Sequence, residues 1–144
     1  MKILYPANIQ LNPQDHRYLV EFPDLDEAVT EGASLEEALF NASEVLTLTL
    51  EGRIDENFNI PQPSNIKNAY LIAPSARVQA ALLVHFAKGN RTVAELARIL
   101  QTSWPAAARL EDPRHWPSLK QLEKAAAALG QRLIISLEPA ENTL

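Results

Sequence analysis

Residues 92–111, TVAELARILQTSWPAAARLE, constrain the fold of this chain more than any other stretch. Their apolar residues recur at helical spacing on both sides of a polar corner at Gln101, which predicts two short helices joined by a tight turn. Thr92 with Glu95 predicts a capping box on the first helix, and Ser103 predicts the N-cap of the second. A second helix presented in this way can lie in the major groove of DNA. The same pattern also occurs in helical domains that bind nothing, so both interpretations stay open.

The charged residues are distributed unevenly along the chain. Residues 1–70 carry four Lys/Arg against twelve Asp/Glu, a net charge of −8, whereas residues 71–144 carry nine against six, a net charge of +3. A basic surface attracts phosphate, which favours nucleic acid as the partner of the second half. An acidic surface favours a basic protein as the partner of the first half.

Composition excludes several classes of protein. With 144 residues, of which 47% are hydrophobic, the chain can form one domain or two small ones without cross-links. It contains no cysteine, which excludes a disulfide framework and thiolate chemistry. No apolar run reaches the length of a membrane-spanning helix, and the N-terminus lacks the pattern of a signal peptide. These features predict a cytoplasmic protein.

The first half of the chain reads mainly as strands. Alternation of apolar and polar residues over 2–11 and 18–22 predicts a hairpin, and a short third strand is predicted around 28–30. Residues 34–52 predict a helix that starts with a capping box and ends at a glycine. The apolar run 69–73 predicts a fourth strand.

The second half of the chain reads mainly as helices. Helical spacing predicts helices over 76–88 and 119–129, on either side of the helix pair, and RLIISL at 132–137 predicts a final strand. We therefore predict an α+β chain with a β-β-β-α-β domain, residues 1–73, followed by a mainly helical domain, residues 74–144.

The chain resembles a known family. The segments YPANI, YLVEFPDLDEAVTEGASLEEALFNASEVLTLTLE and IPQPS are similar to HicB-type antitoxins, and residues 92–130 resemble a Cro/repressor-type helix-turn-helix that some members carry. The resemblance implies a truncated ribonuclease-H-like first domain and a helix-turn-helix domain with a C-terminal strand. It also implies an antitoxin that binds and inactivates a small basic HicA-type toxin, an mRNA-cleaving ribonuclease. Such a protein would repress its own operon by binding double-stranded operator DNA as a homodimer or tetramer.

Three positions depart from the family pattern. Asp26-Glu27-Ala28 stands where members usually have a glycine after the Pro-Asp-Leu-Pro run. Gln101 stands at the corner where a left-handed glycine is usual, and Trp104 stands where a polar base-reading residue is common. These departures bear on how DNA is read more than on the fold.

The predicted DNA-binding residues lie on the second helix of the pair and at helix starts. First residues of a recognition helix reach base edges, and N–H groups and hydroxyls at helix starts can bind phosphate. Alternatively, Arg109 forms an ion pair with Glu111 or Asp112, Trp104 packs against Trp116, and the hydroxyls are helix caps only. The predicted set is Thr92, Thr102, Ser103, Trp104, Ala106, Ala107, Arg109, Ser118 and Lys120.

The predicted toxin-binding residues lie at the end of the second strand and in the turn after it. They combine acids that speed the encounter with a basic partner and apolar side chains that anchor it. Tyr18 and Phe22 can equally belong to the core. The predicted set is Tyr18, Glu21, Phe22, Asp24 and Leu25.

The sequence contains no evident catalytic constellation. A ribonuclease-H-like active site needs several carboxylates around two metal ions, and the nearest candidates are Glu21, Asp24 and Asp26. These acids also fit a solvated acidic rim, and the three histidines show no ligand spacing. We therefore expect no catalytic residue, no metal site and no cofactor. Two alternatives stay open: a stand-alone helix-turn-helix regulator whose first domain senses a ligand or dimerises, and a nuclease that retains catalysis.

Overall fold

The computed structural model describes residues 1–140 and consists of two compact units. The sheet unit comprises Lys2–Ser75 with the segment from Glu138, and the helical unit comprises Ala76–Leu137. Within residues 1–140 the chain forms an α+β structure with four strands and five helices, which confirms the predicted class. Residues 141–144, which the predicted second domain includes, lie outside the described part of the chain.

The sheet unit has the predicted order β-β-β-α-β. All neighbouring strands are antiparallel, in the order β3-β2-β1-β4, so that the last strand pairs with the first. The last strand therefore lies beside the first at one edge of an open sheet, which brings the two ends of the unit together. Its elements are β1 (Tyr5–Asn12), β2 (Arg17–Phe22), β3 (Leu25–Gly32), α1 (Leu35–Asp55) and β4 (Tyr70–Ile72).

Helix α1 begins as predicted and ends later than predicted. The Ser34 side chain caps it by accepting a hydrogen bond from the backbone N–H of Glu37. The predicted end at Gly52 is wrong, because the helix runs on to Asp55. The Arg53 guanidinium donates to the Glu27 carboxylate and to the Asn59 carbonyl, which holds the last turn in helical conformation despite the glycine.

The core of the sheet unit lies between α1 and one face of the sheet. Antiparallel pairing places side chains that share a face in register, and alternate positions of β2 are buried on the side of α1. In β3 the pairing with β2 is irregular near Phe22, so that Leu25 and Ala28, three residues apart, are both buried. Helix α1 contributes an apolar stripe at helical spacing from the other side. The buried hydrophobic residues include Tyr5, Ala7, Val20, Phe22, Leu25, Ala28, Ala38, Leu39, Ala42, Leu46 and Leu50.

The helical unit contains four helices around a small core. They are α2 (Ala76–Lys88), α3 (Val93–Leu100), α4 (Trp104–Arg109) and α5 (Leu119–Ala128). No helix within the described range 1–140 is long and apolar enough to cross a membrane. The core consists of Val84, Leu96, Ala97, Ala107, Leu110, Ala125 and Leu129.

The predicted C-terminal strand is wrong for the structure of the single chain. Residues 132–137 have no regular secondary structure. Ile134 is 71% exposed, Ile135 66% and Leu137 fully exposed. A strand is stable only when a neighbour satisfies its backbone N–H and C=O groups, and no described strand pairs with this segment.

Candidate functional surfaces

The α3–α4 pair has the tight corner that the sequence predicts. Thr92 and Glu95 form a capping box at the start of α3. Gln101 takes the left-handed conformation, with φ 54° and ψ 47°, which is costly for a residue other than glycine. Ser103 then caps α4 by accepting from the backbone N–H of Ala106 at 3.2 Å. The corner therefore forms without glycine, at the cost of one strained backbone position.

Ala107 does not belong to the exposed surface of α4. Its side chain is fully buried in the core of the helical unit, with Ala97 of α3 and Leu96. Small residues at these positions let the two short helices approach closely. The predicted contact between Ala107 and DNA is therefore inconsistent with its burial, whereas Ala106 is half-buried beside it.

The side chain of Arg109, at the end of α4, is exposed and has no hydrogen-bond or ion-pair partner in the described part of the chain. The alternative partner Glu111 is engaged elsewhere, with His85 Nδ1 at 3.1 Å and Lys88 Nζ at 3.3 Å. The other alternative, Asp112, accepts from the backbone N–H of Arg114 at 2.9 Å. The guanidinium of Arg109 thus remains available to an external anion.

Glu111 ties α2 to the segment after α4. Burial by itself raises the pKa of this carboxyl, because the charged form loses solvation. The hydrogen bond with His85 and the charge of Lys88 outweigh burial and hold the pKa of Glu111 below its ordinary value. Glu111 is therefore a structural anion and not a proton donor near neutral pH.

The other predicted DNA-binding residues are also at the surface. Trp104 and Trp116 are 56% and 68% exposed, and the structure shows no ring contact between them. The oxygens of Thr92 and Ser118 accept the capping hydrogen bonds of α3 and α5. The predicted residues that the structure exposes are Thr92, Thr102, Ser103, Trp104, Arg109, Ser118 and Lys120.

The structure divides the predicted toxin-binding residues between the two faces of the sheet. Phe22 and Leu25 are 2% and 0% exposed and lie in the core, and Tyr18 is half-buried on the same face. Their predicted role as anchors is inconsistent with this position, because successive strand residues point to opposite faces and these point inward. Glu21 lies on the outer face and is exposed, and Asp24 lies in the turn.

The outer face of the sheet carries a compact group of exposed residues that we call the open-face patch. The register pairs Gln10 with Leu19 and Leu19 with Glu31, and it pairs Asn8 with Glu21 and Glu21 with Val29. Sequence reasoning missed Leu19 and Val29, although each directly adjoins a buried strand residue, Val20 or Ala28, and so points to the opposite face. The patch consists of Asn8, Gln10, Leu19, Glu21, Val29 and Glu31.

The acids considered for a nuclease site are not assembled as metal ligands. The Asp24 carboxylate accepts hydrogen bonds from the backbone N–H of Ser64 at 2.9 Å and from its hydroxyl. Asp24 therefore fastens the loop between α1 and β4 to the β2–β3 turn. Within residues 1–140 no group of three or more His, Asp and Glu side chains is placed to hold a metal ion.

The sequence of the sheet unit matches a known family. Residues 4–83 match the model described as HicB_like antitoxin of bacterial toxin-antitoxin system. The chain belongs to the HicB-like antitoxin family. This match spans all four strands and α1, which confirms the predicted resemblance to HicB-type antitoxins. The predicted helix-turn-helix at 92–130 lies outside the matched residues and stays a prediction.

Individual HicB proteins are similar over nearly the whole chain. Antitoxin HicB 1 of Photorhabdus laumondii is 32% identical over 135 residues, 93% of this chain and 86% of that protein. Antitoxin HicB of Escherichia coli strain K12 is 30% identical over 132 residues, 90% of this chain and 95% of that protein. These matches extend beyond the sheet unit into the helical unit and assign the chain to a toxin–antitoxin system.

Proposed function

We propose that this chain neutralises a HicA-type mRNA ribonuclease by direct binding and represses its own operon by binding operator DNA. The family match over residues 4–83, which covers the entire sheet, carries the proposal. The two activities fall to different units: the sheet unit binds the toxin, and the helical unit binds DNA. On this proposal the protein works in the cytoplasm, as a binding protein and not as an enzyme.

Charge supports the assignment of the toxin to the sheet unit. Residues 1–70 carry a net charge of −8, which attracts a basic protein over long range and speeds association. Exposed ion pairs contribute little to affinity by themselves, so apolar side chains must add to them. Leu19 and Val29, exposed at 40% and 50%, offer such side chains beside Glu21.

The geometry of the α3–α4 pair supports the assignment of DNA to the helical unit. The left-handed corner and the Ser103 cap present the N-terminal end of α4 at the surface. Arg109 is exposed and unpaired, so it can bond guanine or a phosphate without breaking an internal contact. The net charge of +3 over residues 71–144 favours the same partner.

The exposed tail supports a homodimer as the DNA-binding species. Residues 132–137, RLIISL, include four aliphatic residues, and the single chain does not pair them as a strand. Two tails related by a two-fold axis would satisfy each other's backbone groups as antiparallel strands. A dimer would also place two copies of α4 about 34 Å apart, one turn of DNA.

Co-expression with the toxin tests the division of labour. Full-length chain and the fragment 2–75 are each expressed with the HicA-type toxin of the adjacent reading frame, and cell growth and co-purification are measured. We expect both to rescue growth and to co-purify with the toxin. Rescue by the full-length chain alone would contradict the assignment of toxin binding to the sheet unit.

An RNA cleavage assay tests the proposal that the chain is a binding protein and not a nuclease. Purified protein is incubated with structured and single-stranded RNA in Mg²⁺ or Mn²⁺. We expect no cleavage, since metal-assisted hydrolysis needs converging carboxylates and Asp24 is already bonded to Ser64. Cleavage that Asp24→Asn abolishes would overturn the proposal and revive the nuclease alternative.

A further inference from the structure

The open-face patch combines charged and apolar side chains in a regular pattern. Leu19 lies directly opposite Glu31, and Glu21 lies directly opposite Val29, so acids and aliphatic residues alternate across β2 and β3. All four side chains are exposed. On the neighbouring strand β1, Asn8 lies opposite Glu21 and Gln10 lies opposite Leu19. These four residues line a shallow depression of about 60 Å³.

One carboxylate of the patch lacks a counter-charge. Arg17 Nε lies 2.8 Å from Glu31 Oε1, so Glu31 is paired within the sheet. Glu21 has no hydrogen bond or ion pair from its side chain to any residue of the described range 1–140. A cation from outside can therefore reach Glu21 without displacing an internal partner.

Charge disfavours two classes of occupant for the patch. A second copy of the sheet unit would bring like charges together, since the unit carries excess acid and the patch has an unpaired carboxylate. Nucleic acid would place phosphates against the same carboxylates. A protein surface that carries a lysine or arginine beside aliphatic side chains complements both the acids and the apolar positions.

We propose that the toxin docks on the open-face patch, with a cationic side chain of the toxin on Glu21 and apolar contacts to Leu19 and Val29. This inference rests on the proposed function, because it takes the toxin as the partner of the sheet unit. It moves the contact surface from the predicted inward-facing residues, Tyr18 and Phe22, to the opposite face of the sheet. Helix α1, which covers the inner face, stays free of toxin.

Matched charge reversals on the two surfaces of the unit test the inference. Full-length Glu21→Lys and Leu19→Asp change the patch, and Glu44→Lys changes the exposed side of α1 by the same charge. Glu21→Gln removes the charge while keeping the size of the side chain, so a loss of affinity in this variant reports on the charge and not on misfolding. Affinity for the purified HicA-type toxin of the adjacent reading frame is measured by calorimetry, and folding of each variant is checked by circular dichroism.

We expect Glu21→Lys and Leu19→Asp to weaken toxin binding by about tenfold or more, and Glu21→Gln by a smaller factor. We expect Glu44→Lys to bind like the unaltered chain. If Glu21→Lys and Leu19→Asp fold and bind the toxin with unchanged affinity, the open-face patch is not the docking site. The same holds if Glu44→Lys loses more affinity than they do. Either result leaves the proposed function intact. If the unaltered chain itself does not bind the toxin, the proposed function fails and this inference fails with it.

Discussion

Arg53 in the last turn of α1 and Glu27 on β3 form a two-point ion pair. Arg53 Nε and Nη2 donate to the two carboxylate oxygens of Glu27 at 2.8 and 2.7 Å. The hydrogen bonds from Arg53 lower the pKa of Glu27 from 4.5 to about 2. The pair joins the end of the long helix to the sheet strand that follows the β2–β3 turn.

We expect Glu27→Gln to reduce the free energy of unfolding by about 1 kcal/mol or less at pH 6, since the pair is partly exposed. Because folding lowers the pKa of Glu27, its stabilisation is complete above its ordinary pKa and is lost as pH falls towards 2. Urea unfolding should therefore show that the difference in free energy of unfolding between the unaltered chain and Glu27→Gln becomes smaller below pH 4.5. Glu44→Gln, at an exposed position of α1, is the control, and its difference in free energy of unfolding from the unaltered chain should not depend on pH in this way. A difference for Glu27→Gln that stays constant with pH would contradict the predicted pH dependence.

We expect Gly32→Ala to destabilise the chain by about 1–3 kcal/mol through overpacking. An added Cβ would lie 2.8 Å from Cα of Ala38 and would also meet its backbone nitrogen, because the end of β3 passes against the first turn of α1. Gly52→Ala is the matched control. A Cβ there meets nothing within 4 Å, and the residue is inside a helix, so stability should rise by about 0.5–1 kcal/mol. Thermal and urea unfolding of both variants measure the contrast, and equal shifts would contradict it.

We expect Arg109→Ala to weaken operator binding by about 1–3 kcal/mol if the guanidinium reads a base. The reason is that the Arg109 side chain is exposed and has no internal partner, so its guanidinium is free to bind DNA. Gel-shift titration at fixed salt measures the affinity. Lys124→Ala removes a charge from the exposed surface of α5 and is the control. Equal affinity of Arg109→Ala and the unaltered chain would remove Arg109 from the DNA-binding set.

We expect Ile135→Asp to shift the protein from dimer to monomer. An aspartate on an apolar strand would be buried without a partner in a tail-to-tail pair. Ser136→Asp adds the same charge at the neighbouring polar position, and we expect a larger dimer fraction for it than for Ile135→Asp at equal concentration. Sedimentation velocity over a concentration series separates the species. A stable dimer in Ile135→Asp would show that the tail does not hold the two copies together.

Local features of the fold were predictable from the sequence. The N-caps at Ser34, Thr92, Ser103 and Ser118 lie where their side chains predict them, and Gln101 takes the left-handed corner. Caps, turns and hydrophobic period depend on residues a few positions apart, so the local sequence determines them. The order β-β-β-α-β follows from the same periodicities.

Contacts between residues far apart in sequence decided which side chains are exposed and unpaired at the two candidate surfaces. The sequence determined that β2 alternates, but only its packing against α1 decided that Phe22 points inward and Leu19 outward. The pairing of Glu111 with His85 and Lys88, which leaves Arg109 free, likewise needed the tertiary structure. Each outcome depends on which distant groups are brought within a few ångströms. Local propensity carries no information about those distances, because long-range packing free energy selects among locally equivalent arrangements.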